Sequence, residues 1–231
     1  MKNTLDADGS LEMVKSRKNA NSGYWNYANN FTYNASGAVT SMQLGNGAWE
    51  STAFNSRLQP TQIALGTTQG GTGLLDLDYE YCSTASVNNG NVTKQTITVP
   101  AVGSNTGFTA VQNYTYDSLN RLASADEKPL NWSQTNCDSD PTKCWKQTFV
   151  YDRYGNRTFD TTLNRTTTIP TGCPVAVCNP SADTTNNKLV GYQFDSAGNT
   201  KQDAESRKFT YDGENKQTKV ETVDVRIFPE T

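Results

Sequence analysis

Residues 188–220 read KLVGYQFDSAGNTKQDAESRKFTYDGENKQTKV, a line that says nearly the same thing twice. The first statement is Tyr192-Gln-Phe194-Asp195-Ser-Ala-Gly198-Asn199; the second is Phe209-Thr-Tyr211-Asp212-Gly-Glu-Asn215-Lys216. Each has two rings one residue apart, then Asp, then two residues, then Gly or Asn. Alternate residues of a strand share a face, so both rings pack on one side of a sheet. An Asp opening a turn accepts a bond from its own backbone two residues on. Gly or Asn three residues after it tolerates positive φ, which a type I turn closing on a left-handed residue requires. The unit reads as strand, tight corner, returning strand.

The same phrase recurs upstream, as Phe31-Thr-Tyr33-Asn34-Ala-Ser-Gly37, as Tyr114-Thr-Tyr116-Asp117-Ser-Leu-Asn120 and as Phe149-Val-Tyr151-Asp152-Arg-Tyr-Gly155. Tyr79-Glu-Tyr81 keeps the rings, but Cys82 stands where Asp is expected, and the turn is displaced to Asn89-Gly90-Asn91. Phe54-Asn55-Ser56-Arg57-Leu58 is a shortened copy without the Gly. The six ring pairs take up most of the 11 Tyr and 8 Phe, which marks a repeat and not a random core. The intervals are uneven. The short ones fit a bare hairpin, and the long ones need insertions or a degenerate unit hidden between.

The phrases YTYDSLNRL, VYDRYGNR and FDSAGNT…FTYDGENK resemble the YD repeats of RHS-family proteins, which include bacterial Rhs proteins, the shell-forming subunits of insecticidal toxin complexes and the teneurin shell. Leu44-Gly45-Asn46-Gly47 is similar to the phrase between repeats in that family. The resemblance covers roughly residues 31 to 220, and several boxes in series are far more specific than one. It implies an all-β fold of tandem antiparallel β-hairpins, a curled or spiralling open sheet with few or no helices. It also implies a scaffold that encloses something, not a reaction centre.

Composition agrees with a sheet. Only 34% of the 231 residues are hydrophobic, yet 10% are aromatic, which suits a broad sheet wet on one face. A net charge of −3 gives no electrostatic footprint for nucleic acid. No apolar run is long enough for a transmembrane helix, and Met1-Lys2-Asn3 opens no secretory signal. The expected division is a polar N-terminal arm over 1–22, fraying until about Tyr24 or completing a neighbour, then a hairpin module over 23–222. Insertions are expected at 66–74, 99–110, 123–147 and 159–187. The alternation of Val223, Val225 and Ile227 predicts a last strand in 223–231, ended by Pro229.

Five cysteines leave three readings open. Cys137 with Cys144 and Cys173 with Cys178 each lie within one insertion, which suggests two short disulfides, a free Cys82 and an oxidising compartment. Free thiols are the second reading. A four-Cys zinc site is the third, and the spacing fits it poorly.

Catalysis has little to work with. The chain has no histidine, which removes Ser-His-Asp and Cys-His chemistry and histidine metal sites. Gly70-Gly71-Thr-Gly73 lacks the Lys-Ser/Thr of a phosphate loop, and no calcium-loop run occurs. Asp117, Asp152, Asp195 and Asp212 are candidate acids for glycoside cleavage, but an Asp recurring at one corner position is there for the corner. No cofactor is called for. The expected function is a segment or small member of a secreted or cell-surface, toxin-associated shell. Its expected partners are proteins, a second copy or the remainder of the shell, met through open sheet edges. The alternatives are an extracellular adhesion or carbohydrate-binding module whose exposed aromatic rows stack on glycans, and a self-assembling surface protein.

Overall fold

The computed structural model describes residues 1–82, 88–160 and 172–222. The chain divides into two compact units, Met1–Trp145 and Lys146–Thr231. The last strand expected in 223–231 lies outside the described residues.

The first unit carries β1 (Lys2–Leu5), β2 (Leu11–Ser16), β3 (Trp25–Tyr33), β4 (Val39–Leu44), β5 (Trp49–Phe54), β6 (Pro60–Gly66), β7 (Leu75–Glu80), β8 (Lys94–Val99), β9 (Phe108–Tyr116) and β10 (Leu122–Pro129). Each strand pairs antiparallel with the next in sequence, so the sheet is a meander without a crossover. A short helix α1 (Gln134–Ser139), capped by the Ser133 hydroxyl, follows β10. The second unit holds a hairpin of β11 (Trp145–Tyr151, beginning on the last residue of the first unit) and β12 (Arg157–Phe159), then α2 (Val175–Cys178). It ends in a meander of β13 (Gln193–Phe194), β14 (Thr200–Gln202), β15 (Lys208–Tyr211) and β16 (Gln217–Glu221). The fold is nearly all antiparallel β.

Why the strands stay extended is visible in their burial. In all six ring pairs both rings are half-buried or buried, while the residue between them (Thr32, Glu80, Thr115, Val150, Gln193 or Thr210) is exposed. That is the period of two, with one sheltered and one wet face. The sheet is one layer thick: among the described residues no large side chain is fully buried, and the buried apolar ones include Ala48, Ala64, Ala110 and Ala125. The wet face has one local cover. Ser41, Ser51 and Ala64 lie in one cross-strand row. The loop after β6 folds down onto it, with Gln69 Nε2 donating to Ser41 Oγ (2.7 Å) and Gly70 N to Ser51 Oγ (2.9 Å).

Three sequence expectations are corrected here. Residues 2–16 are not a fraying arm; they form the hairpin β1–β2, because Asp6-Ala-Asp-Gly9-Ser10 is a corner of the repeat type. The first part of the insertion expected at 123–147, residues 123–129, belongs to strand β10. Its Ala, Ser, Asp, Glu and Lys residues have weak strand preference, but cross-strand bonds from Gln112 to Glu127 and from Asn113 to Asp126 hold it to β9. The stretch 159–187 contains the start of a hidden corner, in which Asp183 N bonds Lys188 O (2.8 Å), with Asn187 at φ 58°. No helix among the described residues is long and apolar enough to cross a membrane.

Candidate functional site

The recurring chemistry of the chain sits at its corners. In the corner opened by Asp117, the carboxylate Oδ1 accepts from Leu119 N and Arg121 N, both at 2.9 Å. Asp117 N donates to Arg121 O (2.9 Å) and Asn120 N to Asp117 O (3.0 Å), with Asn120 at φ 60°. The same five-residue frame is built on Asp6, Asn34, Asn55, Asp152, Asp195, Asp203 and Asp212. The left-handed fourth position is Gly37, Gly155 or Gly198 in three of them, Asn215 in a fourth, and Leu58 in the shortened copy. The phrase read from the sequence is therefore a hydrogen-bonded object. Position one caps the backbone, and position four turns it.

Three corners escaped the sequence reading. Asp6 and Asp203 lack the preceding ring pair, and Asp183 closes over one extra residue. The Asp-x-x-Gly spacing of Asp6-Ala-Asp-Gly9 was a sufficient signal for the first. At Asp203 the fourth position is Ser206, at φ 65°, a residue that does not signal positive φ as Gly or Asn does.

Strand direction alternates, so in the first unit the corners at 6–10, 34–38, 55–59 and 117–121 share one edge of the meander with the displaced turn at 88–91. The loops at 17–24, 45–48, 67–74, 100–107 and 130–144 share the other. Length varies on that second edge. Neighbouring corners on the first edge are tied by amides: Asn88 and Gln59 exchange side-chain bonds (2.6 and 3.2 Å), and Asn89 Nδ2 and Asn91 Nδ2 both reach Asn120 Oδ1 (2.9 and 3.2 Å). Within the second unit Asn199 Nδ2 reaches Asn215 Oδ1 (2.8 Å) in the same way.

The tyrosine next to the corner adds a second tie. Tyr33, Tyr81 and Tyr116 donate their hydroxyls to the carbonyls of Leu11 (2.6 Å), Pro60 (2.8 Å) and Val92 (2.7 Å). Each acceptor is the first residue after the preceding turn, so every such ring pins its own corner to the one before. Burial raises the phenols of Tyr81 and Tyr116, which keeps them donors at any ordinary pH. Phe54 occupies the same place before the corner at Asn55 and has no hydroxyl for the Val39 carbonyl. Phe54→Tyr is expected to stabilise the chain by about 1 kcal/mol and Tyr116→Phe to destabilise it by a similar amount. Urea midpoints measure both, and a Phe54→Tyr variant no more stable than the parent would refute the rule.

The twelve rings of the six pairs turn to the sheltered face. There they meet one another and cross-strand partners, as in Phe31–Tyr33 (6.4 Å between centroids) and Phe149–Phe159 (5.4 Å). Tyr79, Gln95, Gln112, Tyr114 and Glu127 form one polar network across four strands on that face. These pairs offer no row of exposed rings for a sugar.

The corner carboxylates are committed to the fold. Backbone bonding from Arg121 holds Asp117 below the usual carboxylate range; the Asn156 side chain does so for Asp152 and the Asn199 side chain for Asp195. Burial pulls Asp203 the other way, but its bonds from Arg207 and the backbone win, and it too is lowered. A carboxylate held this low, with its oxygens occupied, is a poor base near neutrality. Folded values below unfolded ones mean that this stabilisation is complete above about pH 4 and is lost as the pH falls through the folded values. With no histidine to titrate, Tm is expected to stay nearly flat from about pH 8 to 5 and to drop below about pH 4. A scan of Tm against pH checks both halves.

The structure joins Cys137 to Cys144 and Cys173 to Cys178, with Cα separations of 5.6 and 6.2 Å, and leaves Cys82 outside either bridge. No group of metal-binding side chains gathers among the described residues.

No family model matches the chain, and no curated protein sequence matches it. Solved structures do. A chain of the TcdB2–TccC3 complex without its hypervariable C-terminal region superposes with a TM-score of 0.66, at 21% identity over 95% of this chain. The Photorhabdus luminescens Tc holotoxin pore gives 0.63 at 19% identity over 94% of this chain, and the TcdB2–TccC3–Cdc42 structure gives 0.62 at 19% over 94%. This chain spans only 11–12% of the length of those chains. Series hairpins, Asp-capped corners and this likeness converge: the chain has an RHS/YD-repeat-like fold.

Proposed function

We propose that this chain is a non-enzymatic scaffold, a segment or small member of a shell associated with secreted or cell-surface toxins. The observation that carries the reading is the corner row. The residues closest to catalytic chemistry, the repeated Asp carboxylates, are consumed in turning the chain, eight times over in one geometry with the Asn variants included. The structural neighbours, which are parts of toxin complexes, support the same reading. Size argues for a segment. Some fourteen to sixteen strands at ~4.8 Å, closed into one ring, would be roughly 21–30 Å across, too narrow once inward side chains are added for a cargo whose radius of gyration is ~13 Å. Open edges supply the joints: among the described residues β1 pairs on one side only and β16 ends its own sheet, and the residues of both strands are all exposed. Cross-linking in extracts of the native source tests this. Lysine cross-links from Lys2 or Lys219 to another shell segment or protein subunit are expected. A chain that migrates there as a free monomer overturns the reading.

A further inference from the structure

The loop between β2 and β3, with the start of β3, gathers cations and exposed rings. Between Met13 and Trp49 there is no Asp or Glu, and the only charges are Lys15, Arg17 and Lys18. Among the described residues no carboxylate pairs with these three. Beside them three rings stand in solvent: Tyr24, Trp25 and Tyr27 are 47%, 72% and 62% exposed. The Arg17 guanidinium lies 5.1 Å from the Tyr24 ring centre. Every paired ring of the repeat is sheltered, so three exposed ones in a row have no role in holding this sheet. Trp, Tyr and Arg are the residues that anchor protein interfaces.

The complement lies on the same unit. Asp76, Asp78 and Glu80 alternate along β7, so their carboxylates share one face about 6.8 Å apart. Lys94 meets Glu80 at 2.8 Å, which leaves the row net negative. Burial, and then repulsion from Asp76 and Glu80, raises the Asp78 carboxyl. A cation brought to this row relieves that repulsion.

We infer that the cationic, ring-bearing β2–β3 loop of one chain docks on the carboxylate row of β7 in a second copy, joining copies head to tail. The two surfaces differ, so the contact is heterologous and leaves the pair with one of each free. The inference rests on reading the chain as a protein-facing scaffold and specifies where the contact falls.

Sedimentation of the purified chain at low and high salt tests it, using R17E/K18E, Trp25→Ala and D78K/E80K. All five positions are exposed, and circular dichroism checks that each variant keeps its strands. Expected are self-association weakened at least tenfold by 0.5 M salt, a similar loss in each variant, and recovery when R17E/K18E is mixed with D78K/E80K. A monomer under all conditions overturns the inference. Association that ignores both salt and the variants also overturns it and points to edge pairing. Binding to vesicles of anionic lipid without self-association overturns it in favour of a membrane surface. None of these touches the scaffold reading, which stands or falls on the native extract.

Discussion

Gly45→Ala is expected to destabilise the first unit by about 2–4 kcal/mol, lowering Tm by roughly 5–15 °C. The reason is space and not backbone freedom. Gly45 follows β4, and its N–H donates to the Tyr27 carbonyl (2.9 Å). A Cβ there would stand 2.1 Å from the Asn26 carbonyl oxygen and 3.4 Å from Tyr27 Cα, both main chain of β3. Backbone cannot rotate aside as a side chain can, so the β3–β4 pairing itself must open. Two neighbours serve as controls. Gly47 has φ 87° but nothing within 4 Å of a new Cβ, so Gly47→Ala is expected to cost only the strain of a left-handed residue, about 1 kcal/mol. Gly73 has neither problem, and Gly73→Ala is expected to be neutral. Thermal melts of the three variants must fall in that order. Gly45→Ala melting with Gly73→Ala would show that the repeat tolerates a wider separation of β3 from β4 than this geometry allows.

How much of this was legible beforehand depends on where the signal is local. A corner is five consecutive residues with a side-chain cap at the first and positive φ at the fourth, so Asp117 through Asn120 or Asp152 through Gly155 can be read from the letters alone. Ring pairs are legible for the same reason, since a period of two needs no knowledge of partners. What failed was non-local. Ala123 through Lys128 looks like loop because its strand character comes from β9, through bonds such as Gln112–Glu127. The Tyr116 hydroxyl bond to the Val92 carbonyl spans 24 residues, and no spacing in the sequence announces it. Leu58 at φ 60° shows the limit of composition: the frame around Asn55 imposes a conformation that leucine disfavours. The exposed rings at Tyr24, Trp25 and Tyr27 were legible as letters and not as surface, because aromatic residues in a β-protein are usually shelter.

Asp203→Ala is expected to separate the last meander into two loose hairpins. Its carboxylate is only 5% exposed. One oxygen accepts from Glu205 N (3.0 Å) and Arg207 N (2.9 Å), and the other from Arg207 Nε. Little else joins the strands it connects. β14 and β15 share a single registered pair, Gln202 with Lys208, whereas β15 and β16 share four. Alanine would leave two main-chain donors and Arg207 Nε without their acceptor, a loss of about 2–4 kcal/mol, with only the Asp203 N–Arg207 O and Ser206 N–Asp203 O bonds (both 3.1 Å) and the Arg207–Glu205 pair left at the junction. The consequence is local opening: tryptic cleavage after Arg207 or Lys208 and amide exchange across 202–208 should accelerate by roughly 30-fold or more. Asp203→Asn separates the two contributions, because Asn34 and Asn55 close the same frame with an amide oxygen. That variant keeps the backbone bonds and loses the negative charge that pairs with Arg207, so an intermediate effect of about 1 kcal/mol is expected. Protection at 202–208 that is unchanged in the alanine variant would mean that these strands are held by something other than the corner, and the corner would then be a consequence of the strip and not its cause.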